Sequence, residues 1–313
     1  MPSATSRIFE RFSDEAAFVE DLTGFLRGYR ARRLEVGGEI RLEIPGHHHI
    51  PYSFWAHRKS RAMKKYGQDF YEPVTTALIS YVHHRFPVRT MYDLGASNGY
   101  FGLVAASYEA LPAQVHLFDM TPANLDIMQA HAAAETWCAG RFHPHLAGIS
   151  DRDEGRKTVW FSRTRMFETK PDPSEYRESW TRRLKFALKG IKNRDALREA
   201  EVEVISVDAF AARNGAAPDL LKVDVDGYEA KVVPGALETM RAHRPFFVFE
   251  LHKDELLRRL GVTRLDVMRP VFEAGYRALL FTNHHDTART DIVPVALDTP
   301  RLAEQSTDML LLY

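Results

Sequence analysis

The segment Met91-Tyr-Asp-Leu-Gly95-Ala-Ser-Asn-Gly99-Tyr-Phe-Gly-Leu-Val constrains this chain more than any other, because it joins two apolar runs through a glycine turn. A short apolar run needs cover on both faces, which suits a strand of a parallel sheet, and the run after the turn suits a helix laid back across it. Glycines let the backbone turn sharply and approach a ligand with no Cβ in the way. Such turns stand at the carboxyl ends of strands, where open α/β sheets bind their ligands.

The same rhythm continues downstream. Candidate strands at residues 90–94, 115–118, 142–147, 220–225, 246–251, 276–281 and 308–313 alternate with helical stretches. That alternation predicts a Rossmann-like α/β fold, a mostly parallel sheet with helices on both faces. A chain of 313 residues that is 45% hydrophobic can bury a core of this size. Lys plus Arg and Asp plus Glu each number 42, so no net field draws the chain to nucleic acid, and none is expected as a partner. The single cysteine, Cys138, excludes an intramolecular disulfide and is expected to serve packing. Residues 1–11 lack an apolar core behind a basic start, and no later stretch has the length and apolarity of a membrane span. A cytoplasmic location is the expectation.

Residues 1–87 read as an N-terminal extension and 88–313 as the α/β domain. In the extension, Phe18, Leu22, Phe25, Leu26 and Tyr29 recur at helical spacing after the possible caps Ser13 and Asp14. Ile40, Leu42 and Ile44 alternate as in a half-buried strand, and a further helix is expected at 71–85. A stretch at about 151–200, rich in Arg and Lys and containing Pro171 and Pro173, breaks the strand–helix rhythm and reads as an insertion or lid. Its run from Trp180 to Lys192 has the pattern of a basic amphipathic helix, either a solvated surface or a contact for an anionic acceptor or membrane surface. Tyr52, Phe54 and Trp55 suit packing under the extension, or cover for a sugar or apolar acceptor.

A dinucleotide fingerprint requires G-x-G-x-x-G, but Gly95 is followed by Ala96 and Ser97, so the later glycines are out of register. Asp119 ends the second strand, where a carboxylate can accept both hydroxyls of a ribose. Asp93 precedes the glycine turn, where a carboxylate suits an ammonium group, and no phosphate-cradling sequence follows. These features favour S-adenosylmethionine over a nicotinamide cofactor.

On these residues the chain resembles the FkbM-type family of S-adenosylmethionine-dependent methyltransferases. The resemblance rests on Tyr92-Asp-Leu-Gly-Ala-Ser-Asn-Gly-Tyr-Phe, Leu117-Phe-Asp-Met-Thr-Pro-Ala-Asn, Leu221-Lys-Val-Asp-Val-Asp-Gly-Tyr-Glu-Ala-Lys-Val-Val-Pro-Gly-Ala and Arg244-Pro-Phe-Phe-Val-Phe-Glu-Leu-His. It implies a seven-stranded sheet whose last strand runs antiparallel. It also implies that Asp93, Gly95, Ala96, Ser97, Asn98 and Gly99 line the methionine end of the cofactor. Asp119 and Met120 would meet the ribose, and the turn at 147–151, with Gly148 and Asp151, the adenine. The third segment departs from the family pattern, with Asp226 where Glu is usual and Tyr228 where Ala is usual, so the acceptor does not carry over. What carries over is a substrate class, a hydroxyl on a small-molecule or glycan-type acceptor.

A hydroxyl is nearly unreactive while protonated and needs a base or a metal that lowers its pKa. The carboxyl ends of the fourth and fifth strands nominate Asp224, Asp226, Glu229, Glu250 and His252, the last because an unperturbed imidazole titrates near working pH. Asp224, Asp226 and Glu250 could gather a divalent cation, which spacing alone does not establish, so no metal is assigned. His47, His48, His49 and His57, with His284 and His285, invite a transition-metal reading, but consecutive histidines point different ways. N-methyl transfer, a nicotinamide-dependent oxidoreductase and a non-catalytic adenosine-binding module are the competing readings, and oligomeric state stays open.

Overall fold

A computed structural model describes residues 4–52, 71–161, 166–167, 169–172, 197–304 and 306–313. The basic run at 180–192 and the side chains of Phe54, Trp55 and His57 lie outside the described residues.

The extension folds as helices α1 (Ala4–Arg11) and α2 (Glu15–Gly28), a three-stranded sheet of β1 (Arg32–Val36), β2 (Glu39–Glu43) and β3 (Ile50–Pro51), and helix α3 (Pro73–Arg85). Helix α2 starts where the Asp14 carboxylate accepts the Ala17 amide at 2.9 Å, and its buried stripe is Phe18, Leu22 and Leu26. Helix α3 begins with Pro73, whose missing N–H costs nothing in the first turn. It is buried almost all round, from Pro73 through His83, because it lies between α2 and the main sheet.

Strands β4 (Thr90–Leu94), β5 (Gln114–Asp119) and β6 (Phe142–Ile149) run parallel in one direction across the sheet. Helices α4 (Tyr100–Ala106) and α5 (Pro122–Ala134) connect them. The chain then crosses back to β10 (Leu220–Val223) on the other side of β4, followed by β11 (Phe246–Leu251). Strand order therefore reverses between β4 and β10, which opens a crevice at their carboxyl ends. Strand β14 (Asp308–Leu312) inserts antiparallel between β11 and β12 (Ala278–Phe281). The seven strands expected from the sequence are all present, and the last is antiparallel.

The sheet is wider than expected, with eleven strands. Strand β13 (Ile292–Val295) extends one edge. At the other edge β9 (Arg198–Ile205) pairs parallel with β6 and antiparallel with β7 (Gly155–Phe161), to which β8 (Met166–Phe167) adds. Both ends of the stretch read as an insertion or lid are thus sheet. Alternation in Arg198-Glu-Ala-Glu-Val-Glu-Val-Ile was masked by charge, since mainly Val202 and Val204 point inward at this edge, against Val159 and Phe161.

The extension and the sheet share one apolar core, in which Ile8, Phe18 and Leu22 join Val248, Leu311 and Tyr313. The rings of Phe18 and Tyr313 meet edge-on at 5.2 Å, and the Tyr313 hydroxyl donates to Glu15. Cys138 is buried in the same core as a free thiol, and burial pushes its pKa up to about 12. Among the described residues no helix is long and apolar enough to cross a membrane.

Candidate active site

Register places the site. Val223 of β10 pairs with Leu94 of β4 and with Phe249 of β11, so Asp224 emerges level with Gly95 on one side and Glu250 on the other. The Asp224 amide donates to the Leu94 carbonyl at 3.1 Å, and Gly95 packs directly on the Asp224 carbonyl. A Cβ at Gly95 would lie 1.8 Å from that oxygen, and its φ of +78° is unfavourable for any other residue. Glycine here is dictated by contact between the turn and the neighbouring strand.

The turn is closed by backbone bonds from Gly95 and Ala96 to the Phe118 carbonyl, both at 3.0 Å, and from Gly99 to Ala96 at 2.8 Å. Asp119 reaches back from the end of β5, and its carboxylate accepts the Ser97 amide at 2.9 Å and the Thr121 amide at 2.7 Å. The Asn124 and Thr121 side chains also hydrogen-bond this carboxylate. Burial raises the pKa of Asp119 and outweighs these bonds, which stabilise the ionised form. Asn98 is buried with its side-chain oxygen lacking a hydrogen bond, an acceptor left over beside the turn. Gly148 sits against the Met120 thioether, and Asp151 accepts the Ser150 hydroxyl at 3.0 Å. An exposed Ser97, an unused buried acceptor on Asn98 and a carboxylate at the end of β5 fit a ligand carrying an ammonium group and a ribose.

Asp93 differs from expectation. It is wholly buried, and its nearest cation is the Lys222 ammonium at 3.6 Å, so it supports the turn from behind instead of meeting a ligand's ammonium directly. Lys222 carried no assigned role in the sequence reading, although a lysine inside the apolar run Leu220-Leu-Lys-Val is itself a signal. Its ammonium also lies 3.3 Å from the Gly95 carbonyl and 3.3 Å from Asp224 Oδ2. Burial alone would lower its pKa, but Asp224 and Asp93 outweigh burial and hold it above the ordinary lysine value.

On the other side of Asp224, acidic groups surround His252. Its Nδ1 is 2.8 Å from Glu229 Oε1, while Nε2 lies 3.7 Å from Asp226, 3.9 Å from Asp224 and 3.9 Å from Glu250. Glu229 comes from the short helix α6 (Glu229–Val232) and is wholly buried, so it stands behind the imidazole and not at the cleft. The expectation of a histidine poised near working pH is corrected by this ring of carboxylates. Burial would lower His252, but Glu229, Glu250 and Asp224 raise it to about 9, and it is charged at neutral pH. Burial, with Asp224 and Glu72 nearby, pushes Glu250 up to about 8. Glu72, and Tyr71 beside it, bring the extension into the electrostatics of the site, which no sequence motif signalled.

Among the described residues, His47, His48 and His49 point to three different places. His47 Nδ1 is 3.0 Å from the Val104 carbonyl in the core, His48 stacks on Trp137, and His49 is near Glu43. The rings of His284 and His285 are 3.9 Å apart, in a loop whose His284 carbonyl accepts the Val74 amide at 3.4 Å beside the start of α3.

The sequence family described as Methyltransferase FkbM domain matches residues 99–278, more than half of the chain. The protein belongs to the FkbM methyltransferase family. This is a family of S-adenosylmethionine-dependent methyltransferases, and the crevice between β4 and β10 is where this FkbM chain brings its glycine turn and acidic cluster together. Among solved structures, methyltransferase FkbM from Methylobacillus flagellatus KT is 14% identical with a TM-score of 0.43, over 84% of this chain and 60% of that one. The FkbM chain described here therefore spans 60% of that protein's length. Fibrillarin from Aeropyrum pernix, with natively bound S-adenosyl-L-methionine, is 11% identical with a TM-score of 0.35, over 93% of this chain and 86% of that one. Precorrin-6y C5,15-methyltransferase from Geobacter metallireducens is 9% identical with a TM-score of 0.35, over 77% and 86%. No functionally curated protein matches the chain.

Proposed function

We propose that this protein methylates a hydroxyl oxygen of a small-molecule or glycan-type acceptor, with S-adenosylmethionine as donor. The observation that carries this reading is the direct contact of the Gly95 turn with Asp224, which puts a donor site and a buried acid–imidazole cluster side by side. The turn from Gly95 to Gly99, Asp119 and Met120, with Gly148 and Asp151, would hold the donor. Bound there, S-adenosylmethionine supplies a methyl group on a positive sulfur, which keeps the electron pair of the broken C–S bond.

The protein's own task is to align the oxygen and take its proton. Glu250 is the group suited to take it in its ionised form, which builds up as pH rises through about 8 and is then a stronger base than an ordinary carboxylate. His252, charged and held from behind by Glu229, is a positive centre facing Asp224, Asp226 and Glu250 at 3.7–3.9 Å. A carboxylate–imidazole cluster of this kind suits a hydroxyl, which needs a base more than an amine does. The FkbM family match sets aside the nicotinamide reading.

The test is transfer of a labelled methyl group to a panel of polyols, phenols and glycosides by wild type and Glu250→Gln. The reading expects a base-stable methyl ether from wild type and at least about a hundredfold slower transfer by the variant, within the range of general base catalysis. Methylation confined to amines, or an undiminished rate in Glu250→Gln, would overturn it.

A further inference from the structure

We propose that Asp224, Asp226 and His252 form a site for one divalent first-row metal ion, placed to bind the acceptor oxygen. The site's catalytic use rests on the methyl-transfer reading above, but its existence does not.

His252 is 6% exposed and directly follows β11, and its orientation is set from behind. Nδ1 bonds Glu229 Oε1 at 2.8 Å, and Glu229 is itself held by the Gly227 amide at 3.2 Å. A carboxylate on one imidazole nitrogen, leaving the other aimed outward, is the usual support of a metal-ligating histidine. The outward nitrogen has no hydrogen bond. Its nearest oxygens, on Asp226, Asp224 and Glu250, are 3.7 to 3.9 Å away, beyond the usual range of roughly 2.7–3.2 Å.

Those gaps are too long for hydrogen bonds and close to what a shared ion requires. Ligand atoms each about 2.1 Å from a metal sit roughly 3.0–3.4 Å apart in octahedral or tetrahedral geometry. One ligand atom from each of Asp224, Asp226 and His252 lies within 4.8 Å of the others. The Asp226 side chain is 93% exposed and free to close the remaining distance.

Asp224 divides its two oxygens. Oδ2 faces Lys222 at 3.3 Å, whereas Oδ1 faces His252. Lys222 also faces Asp93, so the one lysine in the cluster is occupied on the turn side and leaves Asp224 Oδ1, Asp226 and Glu250 to the cleft. A single imidazole cannot hydrogen-bond all three at once. One imidazole with two or three carboxylates is a mixed donor set, which suits Mn²⁺, Fe²⁺ or Zn²⁺ better than the all-oxygen preference of Mg²⁺. Three protein ligands leave positions for the acceptor oxygen, whose pKa the ion would lower, and Glu250 stands beside them to take the proton. On binding, the ion takes the place of the proton that Nε2 otherwise carries.

The experiment uses the untagged, chelator-treated full chain, with Mn²⁺ as the probe and no methyl donor present. Electron paramagnetic resonance is expected to show one bound Mn²⁺ per chain, with pulsed spectra carrying coupling to a directly bound nitrogen. His252→Gln should abolish that coupling. Asp226→Asn, a change at an exposed side chain that leaves the fold intact, should weaken binding at least tenfold. Absence of bound Mn²⁺ at millimolar concentration, or nitrogen coupling that persists in His252→Gln, would overturn the site. Donor binding and methyl transfer are measured on the same samples. Full-rate transfer by chelated protein would overturn the ion's catalytic use and leave the methyltransferase reading intact, whereas nitrogen-coupled Mn²⁺ without transfer to any acceptor would uphold the site and overturn that reading.

Discussion

Glu229 Oε1 and His252 Nδ1 lie 2.8 Å apart, both side chains buried, one on the turn after β10 and the other just beyond β11. This bond decides which imidazole nitrogen faces the cleft and keeps the ring charged. Glu229→Gln should therefore slow methyl transfer by about tenfold or more while leaving donor affinity unchanged. In chelator-treated protein, nuclear magnetic resonance should show His252 titrating near pH 9 in wild type and at lower pH in the variant. An unchanged titration would mean that the carboxylates on the other side suffice.

Gly95→Ala tests whether the turn and Asp224 are mechanically one unit. A methyl group 1.8 Å from the Asp224 carbonyl, on a backbone at φ +78°, cannot be accommodated without moving one strand end. Strain of this kind costs on the order of 1–3 kcal/mol. Thermal unfolding should show the loss, and donor binding should fall with it. Alanine at Gly215, also at positive φ but with open space around it, should leave donor binding unchanged.

The shared core predicts that the extension and the sheet unfold together. Phe18→Ala removes the ring against Tyr313 and should destabilise the protein by about 3–5 kcal/mol. Urea unfolding followed by fluorescence and by circular dichroism should stay coincident. Separate transitions would show the extension to be an independent unit.

Two buried histidines set an acid limit on stability. Burial lowers His47 and His83 to about 3, and neither His83 nitrogen has a hydrogen bond. Between pH 3 and the unfolded value near 6.5 the unfolded chain binds protons that the folded one does not, so stability is lost as pH falls through that window. Each such histidine contributes a slope of up to about 1.4 kcal/mol per pH unit. Replacing His83 with Phe should flatten the decline between pH 7 and pH 5 in chemical denaturation.

Much of this architecture is legible in the sequence for a simple reason. Leu94, Val223 and Phe249 end apolar runs, and the glycine or acidic residue after each falls at the sheet's carboxyl edge whatever the register. That is why Asp224, Glu250 and His252 stand out in the linear chain. Their pairing does not, because it depends on which strands are neighbours. Lys222 bridges Asp93 and Asp224 across two strands that are distant in sequence, and His252 is raised by carboxylates from three separate segments. Single-residue chemistry suggested an imidazole titrating near working pH, and the convergence of carboxylates raises it to about 9. Strands β7 and β9 were missed for another reason. They lie towards one end of the sheet, where one face of each strand is largely exposed and charge hides the alternation.

The most direct test of the central claim is calorimetric titration of wild type and Asp119→Ala with S-adenosylmethionine, S-adenosylhomocysteine and NAD. Asp119 closes the Ser97 turn from the end of β5, where a ribose diol would meet it. Loss of one charge-assisted bond is worth roughly 1.5–3 kcal/mol, or at least about tenfold in affinity. The account predicts that wild type binds the first two ligands and not NAD, and that Asp119→Ala binds them at least about tenfold more weakly. Equal affinity in the two proteins, or binding of NAD alone, would contradict it.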